Sequence, residues 1–234
     1  MRNSDNNLIM MTLYIIGVSY VFNQMVESID SQIKLEFNKL SVEEQLKNQD
    51  LLDKIEISFS LKSSYPIEDP KELSISIKNK TPSTAVYVDW DNCAFEEFDG
   101  SSKRVIRRSP DLIRDLAVPQ TPSLIVPGKT LKEAVTSESA LQRDQESGTY
   151  TLKRAVADVL KWKTIPVKAL KIQFNNFMDR KQNFEFSLDL VLRLAETNIG
   201  IAQGQNTPPL YIVRCPFTVK KLPWTYALPW NKKR

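Results

Sequence analysis

Phe184-Glu-Phe-Ser-Leu-Asp-Leu-Val-Leu-Arg-Leu-Ala195 is the stretch that decides the fold. Phe184, Phe186, Leu188, Leu190, Leu192 and Leu194 take alternate positions, and Glu185, Ser187, Asp189, Val191, Arg193 and Ala195 fall between them. A period of two puts the two sets on opposite faces of a pleated strand, so the run predicts a strand with one face buried and one face wet. A helix would spread the same residues around its circumference.

The same alternation recurs on both sides of this run. Ile55, Ile57, Phe59 and Leu61 alternate with Glu56, Ser58, Ser60 and Lys62, and Leu73, Ile75 and Ile77 alternate with Ser74, Ser76 and Lys78. Val86, Val88 and Trp90 point one way, and Leu170, Ile172 and Phe174 repeat the pattern. Tyr211, Val213, Cys215, Phe217 and Val219 make the last strand. Asn79-Lys-Thr-Pro-Ser83 reads as a turn, and Asp99-Gly100 as a hairpin turn leading into a basic strand over residues 103–108. About seven or eight such strands predict a mainly β domain over residues 54–234. The simplest burial of their apolar faces is an antiparallel two-sheet β-sandwich of immunoglobulin-like or fibronectin-like architecture. An immunoglobulin domain would place its Trp between paired cysteines, whereas Trp90 precedes Cys93, so the reading stops at architecture.

One segment breaks the strand pattern. Residues 137–149 are polar and read as a loop, and Leu152, Val156, Val159 and Leu160 have helical spacing, which predicts an inserted loop and short helix over 137–165. Long insertions often carry function, so Lys161, Trp162 and Lys163 at its exit are the first candidate partner-binding residues.

Towards the amino terminus, residues 6–26 carry no charge. As a helix they would cover about 30 Å, the thickness of a bilayer's hydrocarbon core. No small-residue cleavage site comes after them, so the stretch predicts an uncleaved single-pass anchor, with residues 8–26 in the membrane. A short amino-terminal anchor normally exports the chain beyond it, which places the globular domain outside the cytoplasm. Residues 27–53 contain no Pro or Gly. Val26, Ile29, Ile33, Phe37 and Leu40 recur at steps of three and four, predicting a helical spacer broken near Leu40. Ser41-Val-Glu-Glu44 fits a capping box that would start a second helix.

Composition removes whole classes of chemistry. The 234 residues include no His, the usual general base and metal ligand near neutral pH. With only Cys93 and Cys215 there is no zinc-ligand spacing, and six scattered Gly leave no phosphate-cradling loop. No G-x-S-x-G is present either. Asp89, Asp91, Asn92, Glu96, Glu97 and Asp99 form the densest acidic group, but their spacing fails the EF-hand pattern. No catalytic residue, cofactor or metal is therefore expected. A net charge of +4 without a basic stripe argues against nucleic acid; Lys103, Arg104, Arg107 and Arg108 read as solvated surface.

Three features remain. Cys93 and Cys215 could form one disulfide if the domain is exported. Asn79-Lys-Thr81 matches a glycosylation sequon. In the tail, Trp224, Tyr226 and Trp230 stand beside Lys232, Lys233 and Arg234, a composition suited to a membrane interface or a protein partner. Together the sequence predicts a non-enzymatic, membrane-anchored module that binds or positions a protein at the membrane surface. The second reading is an accessory subunit built into a membrane complex, and an anchored hydrolase comes third.

Overall fold

The computed structural model describes residues 2–108, 116–196 and 210–227, with side chains described for 7–26, 31–108, 116–195 and 210–226. Helix α1 (Arg2–Asp30) is followed after one residue by β1 (Gln32–Phe37) and then by α2 (Lys39–Asn48). Strands β2 (Ile55–Ser60), β3 (Tyr65–Pro66), β4 (Leu73–Asn79) and β5 (Thr84–Val88) come next. They are followed by β6 (Ala94–Glu96), β7 (Ser102–Arg107), β8 (Ser123–Ile125) and β9 (Thr130–Ser137). A hairpin of β10 (Leu141–Arg143) and β11 (Tyr150–Leu152) precedes α3 (Lys161–Thr164), α4 (Lys168–Met178), β12 (Phe184–Glu196) and β13 (Leu210–Lys221).

Apart from the β10–β11 hairpin, the strands join in one eleven-stranded antiparallel sheet, ordered β2-β4-β9-β7-β6-β12-β13-β1-β3 with β5 and β8 attached beside β12. This sheet curls into a half-barrel and does not divide into the two-sheet immunoglobulin-like sandwich expected from sequence. The curl is visible in ring contacts between strands far apart in sheet order. Phe59 of β2 packs 4.7 Å from Phe37 of β1 and 4.8 Å from Phe217 of β13. Phe186 stacks 4.9 Å from Phe217. Phe186 and Phe217 are buried there, with Phe37 and Phe59 half-buried against them, and rings of this size take on the order of 150–250 Å² from water when fully buried.

β12 is the axis of the sheet. One edge pairs with β13 from Phe184↔Val219 to Arg193↔Leu210. The other edge is shared by β6 at Ser187–Asp189 and β5 at Leu192–Glu196. Between those two partners the turn Asp89–Cys93 packs on β12: Asp89 N–H donates to Val191 O (2.9 Å), and Val191 N–H donates to Cys93 Sγ (3.3 Å). The alternation behaves as expected for Leu188, Leu190 and Leu192, which are fully buried. Val191 does not follow it. At 5% exposure it is as much a core residue as its neighbours, so the opposite face is dry at this point.

Three helical expectations are corrected. The spacer over 27–53 is interrupted by β1, whose Ile33 and Leu35 are buried against β13, in register from Ile33↔Lys221 to Phe37↔Phe217. α2 begins ahead of the capping box: Asn38 Oδ1, not Ser41, accepts the backbone N–H that caps it (Ser41 N, 3.1 Å). It ends in a Schellman-type turn, with Asp50 at φ 54°, Asp50 N–H on Lys47 O and Leu51 N–H on Leu46 O. Leu170 and Phe174 belong to α4, not to a strand, and there Phe174 and Phe177 form the buried side.

α2 also closes an edge. Beyond Phe37, β13 has lost β1 as a neighbour, and α2 lies there instead. Gln45 Nε2 donates to Arg214 O (2.8 Å) while Gln45 Oε1 accepts from Arg214 N (2.9 Å). Gln49 Nε2 donates to Ile212 O (2.9 Å), and Asn38 N to Pro216 O (3.1 Å). The side-chain amide of Gln45 thus makes the two bonds a neighbouring strand would make. Pro216, which has no N–H to satisfy, stands where β1 gives way to α2.

Leu190→Ala is expected to cost about 2 to 5 kcal/mol through lost transfer energy and a residual cavity. Val191→Ala is expected to exceed the ~1 kcal/mol of a wet surface position. Denaturant unfolding of the full chain in mild detergent measures both, and a Val191→Ala cost near zero contradicts the burial. In Gln45→Ala, the Arg214 amide should exchange with deuterium far faster than in the parent, while Val213 on the β12 side keeps its protection.

Candidate membrane-proximal and partner-binding surfaces

α1 carries the segment Asn7–Val26, long and apolar enough to cross a membrane and without burial against the rest of the chain. Its large apolar side chains from Leu8 to Met25 are 50% to 73% exposed. Only Ser31 separates α1 from the sheet. Ser31 O accepts from Ile67 N (2.8 Å) and Gln32 O from Leu222 N (3.0 Å), so both sides of the joint are held by strands or their extensions.

The tail returns to this joint. Beyond β13, Trp224–Ala227 forms a 3-10 turn in contact with α1. Trp224 is 36% exposed, and Tyr226 Oη donates to Ser63 O (3.4 Å). Beside it Lys62 stands over the Tyr65 ring at 5.9 Å, while Tyr65 Oη accepts from Lys62 N (2.7 Å). The turn that carries Trp224 and Tyr226 is thus brought back against α1. Trp230, Lys232, Lys233 and Arg234 lie outside the described residues.

The insertion is ordered differently from expectation. Residues 137–149 hold a 3-10 turn and the first strand of the β10–β11 hairpin, turned through Asp144 and Gly148 (φ 69°). The helical spacing at 152–160 gives no helix; Ala155, Val156, Ala157 and Val159 are buried in an irregular segment, and α3 starts at Lys161. Trp162 is 4% exposed, packed 4.7 Å from Phe184 and 6.0 Å from Phe98, so it is a core residue and not a docking side chain. Lys161 turns back to Glu97 (3.1 Å) and Asp99 (3.7 Å). Burial works against its charge, but those two carboxylates outweigh it and hold its pKa up. Lys161 is half-buried in these pairs, and Lys163 is exposed.

The acidic group is neutralised residue by residue. Asp89 pairs with Arg193 (2.6 Å), Asp91 with Arg104, Glu96 with Arg214 (2.9 Å), and Glu97 and Asp99 with Lys161. Asp189 takes two bonds from Arg214, which raises the Arg214 pKa. Burial pushes the Asp91 carboxyl up, yet donation from Arg104 and from Gln120 N–H brings it below its ordinary value. Asp99 is lowered chiefly by Ser101, and Glu36 by Lys220 and Lys34. The basic strand was expected as solvated surface: Arg108 is exposed, its ion pair with Glu72 (3.0 Å) included, whereas Arg104 and Arg107 are half-buried against Asp91 and Glu133 (3.5 Å). Among the described residues no group of three His, Cys, Asp or Glu side chains is placed to hold a metal ion.

Of the two states open to Cys93 and Cys215, a disulfide or a pair of buried thiols, the structure has the second: both are buried and free. Burial, foremost, pushes Cys93 to about 12 and Cys215 well above the ordinary thiol range. The sequon is likewise closed. Asn79 is 0% exposed, its amide donating to Thr84 O (2.8 Å) and Ile125 O (3.0 Å) and its oxygen accepting from Thr81. The described surface also holds a pocket of about 320 Å³ between β7 and the β10–β11 hairpin, lined by Ile106, Leu141, Tyr150 and Leu152 with Arg108 and Glu72 among its polar groups.

No family model matches the chain, and no curated protein matches it. Among solved structures, the crystal structure of a protein from Archaeoglobus fulgidus is 10% identical with a TM-score of 0.25, over 72% of this chain and 97% of its own. A likeness of that size carries no argument about function.

The thiols give a direct check. Without reductant, the native chain at neutral pH should resist alkylation, and denaturation should release two reactive thiols; loss of both into a bond would overturn the free-thiol geometry. Acid gives another. Glu36, Asp91 and Asp99 have folded pKa values below their unfolded ones, so their contribution is fully present above about pH 5 and is lost as pH falls through the lower folded values. Asp91→Asn should make that acid loss of stability shallower in a pH series of unfolding midpoints.

Proposed function

We propose that the chain is a non-enzymatic, membrane-anchored β module that binds or positions a protein partner at the membrane surface, in an assembly or scaffolding role. The observation that carries this reading is α1: an uncharged span of bilayer length that the sheet leaves uncovered and that is rooted directly in strands. A buried core helix would have its apolar side chains covered, and here they are half or more exposed. The carboxylates that might have served as acid and base are each held by a cation, which suits a rigid surface better than proton transfer. Export is the default outcome for a short amino-terminal anchor, which puts the sheet on the extracytoplasmic side.

A second reading, an accessory subunit packed within a membrane complex, is favoured by one stripe on α1. Tyr14, Gly17, Val18, Val21, Phe22 and Met25 follow steps of three and four and line one shallow groove. A small residue among larger ones lets a neighbouring helix approach closely.

Alkaline carbonate extraction tests the anchor. The full chain should stay with the membrane pellet and a chain lacking residues 1–26 should be released; a soluble full chain would reject both readings. Substituting Gly17 by Leu separates them, because it should release co-purifying membrane proteins only if α1 packs on another helix.

A further inference from the structure

We propose that the 3-10 turn Trp224–Ala227 is a second membrane contact, an interfacial foot that inserts Trp224 into the headgroup layer of the bilayer that α1 spans. The inference rests on α1 being a membrane span and adds where the sheet sits relative to the lipid.

Height along α1 sets the depth of the turn. The uncharged span ends at Val26, and α1 continues through residues 27–30, a rise of about 6 Å at ~1.5 Å per residue. The polar layer on each side of a bilayer is roughly 5 to 7 Å deep, taking about 40–45 Å in all less about 30 Å of hydrocarbon. The carboxyl end of α1 therefore coincides with the outer part of that layer. Leu222 is bonded to Gln32, two residues past that end, and the turn after Leu222 lies against α1. Trp224 is thereby held at headgroup depth.

Residue chemistry points to the same layer. An indole buries a large apolar ring while keeping one N–H for a polar partner, which is why Trp concentrates at this depth. Trp90 and Trp162 are core residues, with Trp90 Nε1 donating to Ser123 Oγ (2.8 Å), whereas Trp224 is partly exposed at the place where the domain adjoins the span. Tyr226, held to Ser63, and Lys62, whose stem and charge stand over Tyr65, flank it with groups of the same amphipathic kind. The occupant is the lipid headgroup layer itself, of either leaflet, and not a soluble phosphate compound.

The test uses the full chain in phosphatidylcholine vesicles containing lipids brominated near the headgroup end of their acyl chains. In a Trp230→Phe background three of the four tryptophans remain, and bromine should quench the share belonging to Trp224. Trp224→Phe in that background should abolish the quenchable share. Deep bromines should quench less than shallow ones, a comparison that needs no change at Trp224. Soluble phosphocholine added to empty detergent micelles should have no comparable effect. A chain that floats with the vesicles but shows no quenching of Trp224 would overturn the interfacial foot alone. A chain that does not float would overturn the anchor and the foot with it.

Discussion

Every buried backbone amide of β12 has to be met on two sides, and most of the architecture can be derived from that requirement. Its thirteen residues exceed the length of any one partner on the β5 and β6 side. Two strands therefore share that edge, and the gap between them is filled by the Asp89–Cys93 turn, whose thiol accepts the Val191 amide. The Cys93 sulfur thus serves the sheet as an acceptor in place of a backbone carbonyl. The burial that raises its pKa and the bond that uses its lone pair have the same origin.

The same constraint recurs where β13 and β7, both interior strands, run past the end of a neighbour, and there it is met by glutamine. Gln45 pairs with both backbone groups of Arg214, and Gln120 does likewise on β7, donating to Val105 O (2.7 Å) and accepting from Arg107 N (2.8 Å). A primary amide has the donor and acceptor spacing of a peptide group, so one side chain ends a ladder without extending it. Open edges invite pairing with other chains. Here the unpaired stretches are stopped by side chains from α2, far from β13 in sequence, and from Gln120, which comes shortly after β7.

How much of this could be read from the sequence depended on whether one period or two fitted a segment. β2, β4, β12 and β13 satisfy only the period of two and were legible. Leu170, Ile172 and Phe174 also satisfy it, yet Leu170, Phe174 and Phe177 satisfy a helical one, and packing of Phe177 on Phe184 at 4.8 Å decides for α4. β1 is the converse. Ile33 and Phe37, four apart, fit both periods, and Leu35 between them was the signal for a strand. Side-chain fates were less legible than elements. That Trp162 fills a core, that Asn79 is enclosed, and that Arg104 finds Asp91 all depend on contacts between distant strands, which no local pattern contains. The apolar span of α1 was legible because it needs only length and composition, whereas the return of Trp224 to its foot required the full path of β13.

Ser31 is the whole connection between α1 and the sheet, and that brevity has a mechanical meaning. A domain on a long flexible tether explores a hemisphere above its anchor and meets soluble and membrane-bound species alike. With a joint of one residue, pinned on both sides by hydrogen bonds to Ile67 and Leu222, tilt of the helix becomes tilt of the sheet. The far rim of the half-barrel then stays at one altitude. In the anchored module proposed above, partners would be selected by geometry before chemistry: species that drift in the same plane and present their surface at that height.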